Sequence, residues 1–242
     1  MACLFQHCFS DKNQLVQFAA DIVVATGNKS LPAPEMFNMV LTGGSSIVPV
    51  YSELASRVSE AFWEKTIFFW GDERCVPPDS HESNYYLAKS ILLGPLGVDE
   101  SQVRRIAGEL GAQTAADLYN LEIDRIARFR MQNQQNQIFD LTFLSIGEDG
   151  HIASLFPGQA ALDSVQRFAI PVTAVYKDRP AQRVSLTSAA LIRSRKIVLI
   201  AAGEKKVNAI QRMLEPDMND DLLPAKRILS GQSEIYILTL RE

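Results

Sequence analysis

Apolar residues along this chain follow two patterns. Short runs without polar alternation, Met36 to Leu41, Thr66 to Trp70, Leu141 to Ile146, Lys196 to Ala202 and Ile235 to Leu240, read as strands, most of them buried on both faces. Other stretches repeat at helical spacing. Leu15, Phe18, Ala19, Ile22 and Val23 form a stripe behind the capping pair Ser10-Asp11, and Gly27-Asn28 predicts the stop of that helix. Further helices are predicted over Val48 to Val58, with Pro49 in the first turn, from a Ser83-Asn84 cap to about Leu92, over Thr114 to Met131, and from Gly203 to Leu214. Phe168 to Thr173 reads as one more strand, and Arg183 to Thr187 alternates polar and apolar residues. Lys29 to Glu35, Gly71 to His81, Gly94 to Gly111, Lys177 to Gln182 and Glu215 to Pro224 read as loops or connections, and the polar run Gln132 to Gln137 is too short to mark a domain boundary. Buried strands alternating with helices predict an α/β chain: one open, mostly parallel sheet with helices on both faces, residues 1–242 forming a single domain.

Composition narrows the function classes. The chain has 242 residues, 47% hydrophobic and 21% charged, with a net charge of -4, ordinary for a soluble globular protein. That weak acidity argues against nucleic-acid binding through a broad basic surface. No apolar run approaches the roughly 20 residues that span a bilayer, and no basic segment followed by an apolar one opens the chain, so neither membrane nor secretion is expected. Cys3, Cys8 and Cys75 form neither a metal nor a disulfide pattern, and His7, His81 and His151 lie far apart. The expectation is a cytoplasmic protein without metal or cofactor, a monomer or weak homodimer.

The candidate chemistry lies where strands end. After Leu141–Ile146 the chain reads Gly147-Glu148-Asp149-Gly150-His151. Histidine exchanges protons near neutral pH, and Asp149, two residues earlier, could accept a hydrogen bond from one ring nitrogen and leave the other as a base. Asp-Gly is also a common hairpin turn, so this stretch alone admits both readings. Thr42-Gly43-Gly44-Ser45-Ser46 follows another strand and precedes a helix; its glycines, hydroxyls and helix N-terminus suit an anion, although a plain strand-to-helix turn looks the same. It is neither a P-loop nor G-x-G-x-x-G. Arg183 and Lys206 could supply the charge a phosphate requires, with Lys205 competing for the second role. Arg74 could hold a carbonyl or phosphate and Asp72 sugar hydroxyls, though the Glu73-Arg74 pair could equally be a surface ion pair. No G-x-S-x-G elbow occurs, and Cys75 reads as a spectator thiol rather than a nucleophile. Four such loops on one edge of a parallel sheet would form one site, because ligands bind beyond the carboxyl ends of the strands.

Four blocks together resemble the 6-phosphogluconolactonases: TGGSS from Thr42, GDERCVPPDSHESNY from Gly71, FDLTFLSIGEDGHIASLFPG from Phe139, and GEKK from Gly203. The resemblance implies a fold shared with glucosamine-6-phosphate deaminase and ribose-5-phosphate isomerase. It implies a carboxylic ester hydrolase that opens 6-phospho-D-glucono-1,5-lactone in the pentose phosphate route. His151 would be the general base, oriented by Asp149; Gly43, Gly44, Ser45, Arg183 and Lys206 would hold the phosphate, position 46 keeping a hydroxyl, and Arg74 and Asn84 would touch the substrate. Thr42 and Ile47 depart from the family's usual Ser-Gly-Gly-Ser-Thr-Pro. The alternatives are a deaminase-like isomerase, disfavoured because Ser154-Leu155-Phe156-Pro157 lacks the carboxylate that chemistry requires and Arg74 replaces an aromatic residue, and a non-catalytic sugar-phosphate sensor, which would have no need of a poised base.

Overall fold

The computed structural model describes residues 2–30, 36–57, 60–159, 166–174, 179–219 and 221–241. In chain order the strands are β1 (Cys3–Phe9), β2 (Phe37–Leu41), β3 (Thr66–Trp70), β4 (Asp72–Arg74), β5 (Val103–Arg104), β6 (Phe139–Ser145), β7 (Ala169–Thr173), β8 (Gln182–Leu186), β9 (Ser194–Ala202) and β10 (Glu234–Leu240). The α-helices are α1 (Lys12–Ser30), α2 (Val48–Arg57), α3 (Glu60–Trp63), α4 (Asn84–Ala88), α5 (Ala112–Gln132), α6 (Ser188–Leu191) and α7 (Glu204–Leu214). A seven-stranded sheet runs β1-β10-β9-β6-β2-β3-β5, with every pair parallel. Its central strands explain themselves. All of β2 is buried, and β6 is buried from Phe139 to Leu144, so both faces are covered and alternation has no place. Helix α1 packs on β1, β10 and β6, and α7 on β9. Among the described residues no helix is long and apolar enough to cross a membrane.

At the amino ends of these strands a buried ion pair ties the layers together. Arg130 near the end of α5 donates to Asp140 Oδ2 at 2.7 Å and to the Met36 carbonyl at 2.9 Å, while Asp140 also accepts from the Asn38 backbone at 2.8 Å. Both partners are almost fully buried.

The structure differs from the sequence expectations in several places. Strand β1 lies at the sheet edge with mostly exposed side chains, so it carries no buried run to detect. Helix α1 continues through Gly27 to Ser30; the glycine makes room for Phe62 rather than a stop, since a Cβ there would lie 2.0 Å from the ring. The loop expected over Lys29–Glu35 therefore begins as helix, and residues 31–35 lie outside the described residues. Gly94 to Gly111 contains the short strand β5. Downstream of the Ser83 cap, α4 passes into a π-helical turn over Lys89–Leu93, which together span the predicted helix.

The largest departure is a second sheet. Asp72–Arg74, expected as loop, is strand β4, antiparallel to β8, which is antiparallel to β7. Asp72 faces Ser185 in register and Arg74 faces Arg183. Residues 177–178 of the loop expected before Gln182 lie outside the described residues, and Gln182 itself begins β8. This small sheet stands at the carboxyl ends of the parallel strands and carries Asp72, Arg74 and Arg183 of the cleft described below.

Candidate active site

Beyond β2 the chain enters Thr42-Gly43-Gly44-Ser45. Thr42 is held at both ends by Tyr51 of α2, whose hydroxyl donates to the Thr42 carbonyl at 2.7 Å and accepts from its N–H at 2.9 Å. Burial pushes the Tyr51 phenol far above its ordinary value, so it stays neutral. Gly44 has φ 95°, a backbone region that favours glycine, and Gly43 lies against Asn84, where a Cβ would fall 2.0 Å from Oδ1. Ile47, two residues after this loop's Ser45, is buried in the core.

From β4, Asp72, Glu73 and Arg74 diverge. Asp72 is buried: Oδ2 accepts from Ser154 Oγ at 2.6 Å, and Asn84 Nδ2 donates to Oδ1 at 3.1 Å. Much of its accepting capacity is thus taken up by the chain. Arg183 of β8 reaches the same Ser154 Oγ at 3.4 Å, donates to the Pro180 carbonyl at 3.1 Å, and lies over the Phe156 ring. Glu73 forms no surface ion pair but is buried among backbone donors, and Arg74 instead donates to the Glu82 carbonyl at 2.6 Å.

Beyond β6 the loop folds tightly on itself. The Gly147 N–H donates to the His151 carbonyl at 2.8 Å, and that of Gly150, at φ 91°, to Gly147 at 3.0 Å. Asp149 Oδ1 lies 2.6 Å from His151 Nδ1 and also accepts from the His151 N–H at 3.2 Å. A Cβ on Gly147 would sit 2.0 Å from His151 Nδ1 and 2.6 Å from that same carboxylate oxygen, so glycine is what lets the ring and the acid meet. Burial raises the Asp149 carboxyl, but the hydrogen bond and charge of His151 outweigh it and hold the acid below its ordinary range. An imidazole donating its Nδ1 proton to Asp149 leaves Nε2 as a base. The ring is backed by Phe156, centroids 4.9 Å apart.

Lys206, in the first turns of α7, approaches Ser145 Oγ at 3.4 Å. Its pKa is lowered, chiefly by burial and further by the charge of Arg179, with Glu148 opposing. Lys205 points elsewhere: its side chain is 77% exposed and bridges to Glu148 at 3.2 Å.

These groups line one cleft of about 560 Å³, which gathers Gly43, Gly44, Ser45, Asp72, Arg74, Asn84, Asp149, His151, Arg183 and Lys206 from all four loops. Ser46 is not part of its lining. Arg179, Ser145 and Glu148 also line the cleft and went unread in the sequence. Arg179 stands in a charged, proline-containing loop that carries no local sign of a site. Ser145 closes β6 within an apolar run, and Glu148 stands in the turn between Gly147 and Asp149, where it reads as a solvated charge. A larger hollow of about 780 Å³ lies beside α4, but its cations are already engaged: Lys89 and Arg105 sit 5.7 and 5.5 Å from the Tyr85 ring centre, and Arg105 binds Glu109 through two hydrogen bonds.

Residues 10–237 match the family of glucosamine-6-phosphate isomerases/6-phosphogluconolactonase. The chain belongs to that family. Within it, the chain is 34% identical over 222 residues to a human 6-phosphogluconolactonase, covering 90% of this chain and 83% of that one. It is 33% identical over 205 residues to a Mycobacterium leprae 6-phosphogluconolactonase, covering 84% and 82%. The crystal structure of a Thermotoga maritima 6-phosphogluconolactonase superposes with a TM-score of 0.80 at 26% identity, covering 99% of this chain and all of that one. A monomeric glucosamine-6-phosphate deaminase shares the fold at 20% identity, with a TM-score of 0.78 and coverage of 98% and 96%. The family thus holds two chemistries on one scaffold, and the choice between them rests on the residues of the cleft.

Proposed function

We propose that this chain hydrolyses 6-phospho-D-glucono-1,5-lactone to 6-phosphogluconate, with His151 as general base. The observation that carries the reading is the hydrogen-bonded Asp149–His151 pair in the same cleft as Lys206, Arg179, Arg183 and the Gly44-Ser45 loop. An anion at the cation-lined end would fix the sugar and leave its lactone carbonyl to the imidazole. His151 Nε2 takes a proton from water as the oxygen attacks C1. The tetrahedral intermediate then collapses, the bond from C1 to the ring oxygen breaks, and the imidazolium returns its proton to that oxygen, leaving a hydroxyl and a carboxylic acid that ionises. General acid–base catalysis of this kind supplies about 10²–10⁴-fold. Asp149 keeps the ring in the tautomer with Nε2 unprotonated. Gly43, Gly44, Ser45, Lys206, Arg179 and Arg183 form the phosphate site, and Arg74 and Asn84 contact the sugar. Asp72 acts through its bonds to Ser154 and Asn84. The three thiols suit a reducing, cytoplasmic setting.

Deamination of an amino sugar phosphate would need a carboxylate within Ser154-Leu155-Phe156-Pro157, which has none, and Phe156, directly before the proline, stands against the His151 ring instead. A coupled assay offering 6-phosphogluconolactone and glucosamine 6-phosphate side by side tests the proposal. Turnover of the lactone alone is expected; ammonia release from the amino sugar with no lactone turnover would reverse the assignment.

A further inference from the structure

We infer that Glu73, which does not line the cleft, is a positioning residue that holds Arg74 and Asn84 in their working geometry; the inference rests on the lactonase reading. Its carboxylate is 3% exposed and accepts four hydrogen bonds. Oε1 receives the N–H groups of Arg74 at 2.7 Å and Asn84 at 2.8 Å, and Oε2 receives the Tyr85 N–H at 2.7 Å and the Ser83 hydroxyl at 2.9 Å. A carboxylate offers about four acceptor sites, so every site is filled by a donor and a neutral side chain of the same shape cannot substitute.

What these bonds hold matters more than their number. Both backbone N–H groups on Oε1 belong to residues whose side chains line the cleft. Asn84 in turn joins two loops: its Nδ2 donates to the Asp72 carbonyl at 2.9 Å and to Asp72 Oδ1 at 3.1 Å, and its amide rests on Gly43. Glu73 thus fixes the joint between the glycine loop and the segment bearing Arg74, although the loop carrying His151 and the helix carrying Lys206 make no bond to it. A disturbed Glu73 should therefore damage orientation of the sugar more than capture of its phosphate.

Glu73→Gln keeps the shape but turns one acceptor oxygen into a donor facing two donors. The expected result is a fall in kcat of about 10²-fold with KM moved about threefold or less, the size of loss that a misplacement near 1 Å produces. In an Asn84→Ala background the same substitution should cost about tenfold or less, because residues acting through one another are not additive. The inference is overturned if Glu73→Gln lowers the melting temperature while kcat/KM per folded molecule stays within about twofold of wild type, or if its cost is equal in both backgrounds. Should the Gln variant not fold, Ser83→Ala removes a single donor and should lower kcat severalfold with KM little moved; unchanged kcat there counts against the inference. Failure of the lactonase reading would show separately, as no lactone turnover by the wild-type chain. Amide hydrogen exchange at Asn84 and Tyr85 would then still decide whether Glu73 is the clamp, since faster exchange in the Gln variant is required.

Discussion

The two ends of the parallel strands treat charge differently. At the amino ends, Arg130 and Asp140 are buried together and answered by each other, by the Asn38 N–H, by the Met36 carbonyl and by Gln135, so the cluster is closed upon itself. At the carboxyl ends, charges of both signs line an open cleft instead: Lys206, whose pKa is lowered chiefly by burial, with Glu148 opposing and Arg179 adding to it, shares the cleft with Arg74, Arg183, Asp72 and Asp149. Cations held close together repel one another, and a bound anion would relieve that repulsion. One end closes its charges inside the fold, whereas the other leaves them lining a cleft at the strand ends where open parallel sheets hold their sites.

If that contrast holds, substitutions at the two ends should separate stability from activity. The largest stability loss should come from Asp140→Ala, which leaves Arg130 buried without its counter-charge and should cost about 3–5 kcal/mol in a urea titration, with kcat of the folded fraction unchanged. His151→Ala should do the reverse. Lactone turnover should drop by about 10²–10⁴-fold with the denaturation midpoint little moved and binding of 6-phosphogluconate retained in calorimetry. Lys206→Ala should raise KM roughly ten- to a hundred-fold for the phosphorylated lactone, as loss of a charge-assisted bond implies, and leave an unphosphorylated lactone unaffected. The smallest effect concerns pH. The folded-state pKa of Asp149 is depressed, so the stability its charge contributes is present above the ordinary value of 3.8 and is lost as pH falls through the lower folded value. Asp149→Asn should therefore flatten the acid limb of melting temperature against pH below that point, and an unchanged limb would place the acid dependence elsewhere. The carboxylate is 42% exposed, so the change should be slight.

How far the sequence could be read follows the same division. Strands β2, β3, β6, β9 and β10 announced themselves through apolar residues at successive positions, because a strand covered on both faces tolerates little else. Edge strand β1 is exposed and gave no such signal. Strand β4 was hidden for the opposite reason: its residues are Asp72, Glu73 and Arg74, and they enter a strand only because Ser185, Val184 and Arg183 of β8 stand opposite. Glycines were legible as turns, but not what crowds them. That Gly147 must admit His151 and Gly43 must admit Asn84 depends on contacts that local pattern does not carry. The choice between Lys205 and Lys206 was open in the chain, and the direction in which each side chain leaves α7 resolves it.

By itself the sequence determined the alternation of buried strands and helices, the loops at which strands end, and the motifs that mark the family, since each is a local pattern of burial or residue type. Only the tertiary structure decided that Asp72 would be bound by Ser154 and Asn84, that Glu73 would be buried among four donors, and that Arg179 and Lys206 would line the same cleft. The physical reason is that hydrogen bonds and charge coupling act over a few ångströms in space, and residues far apart in the chain reach that range only once the sheet is assembled.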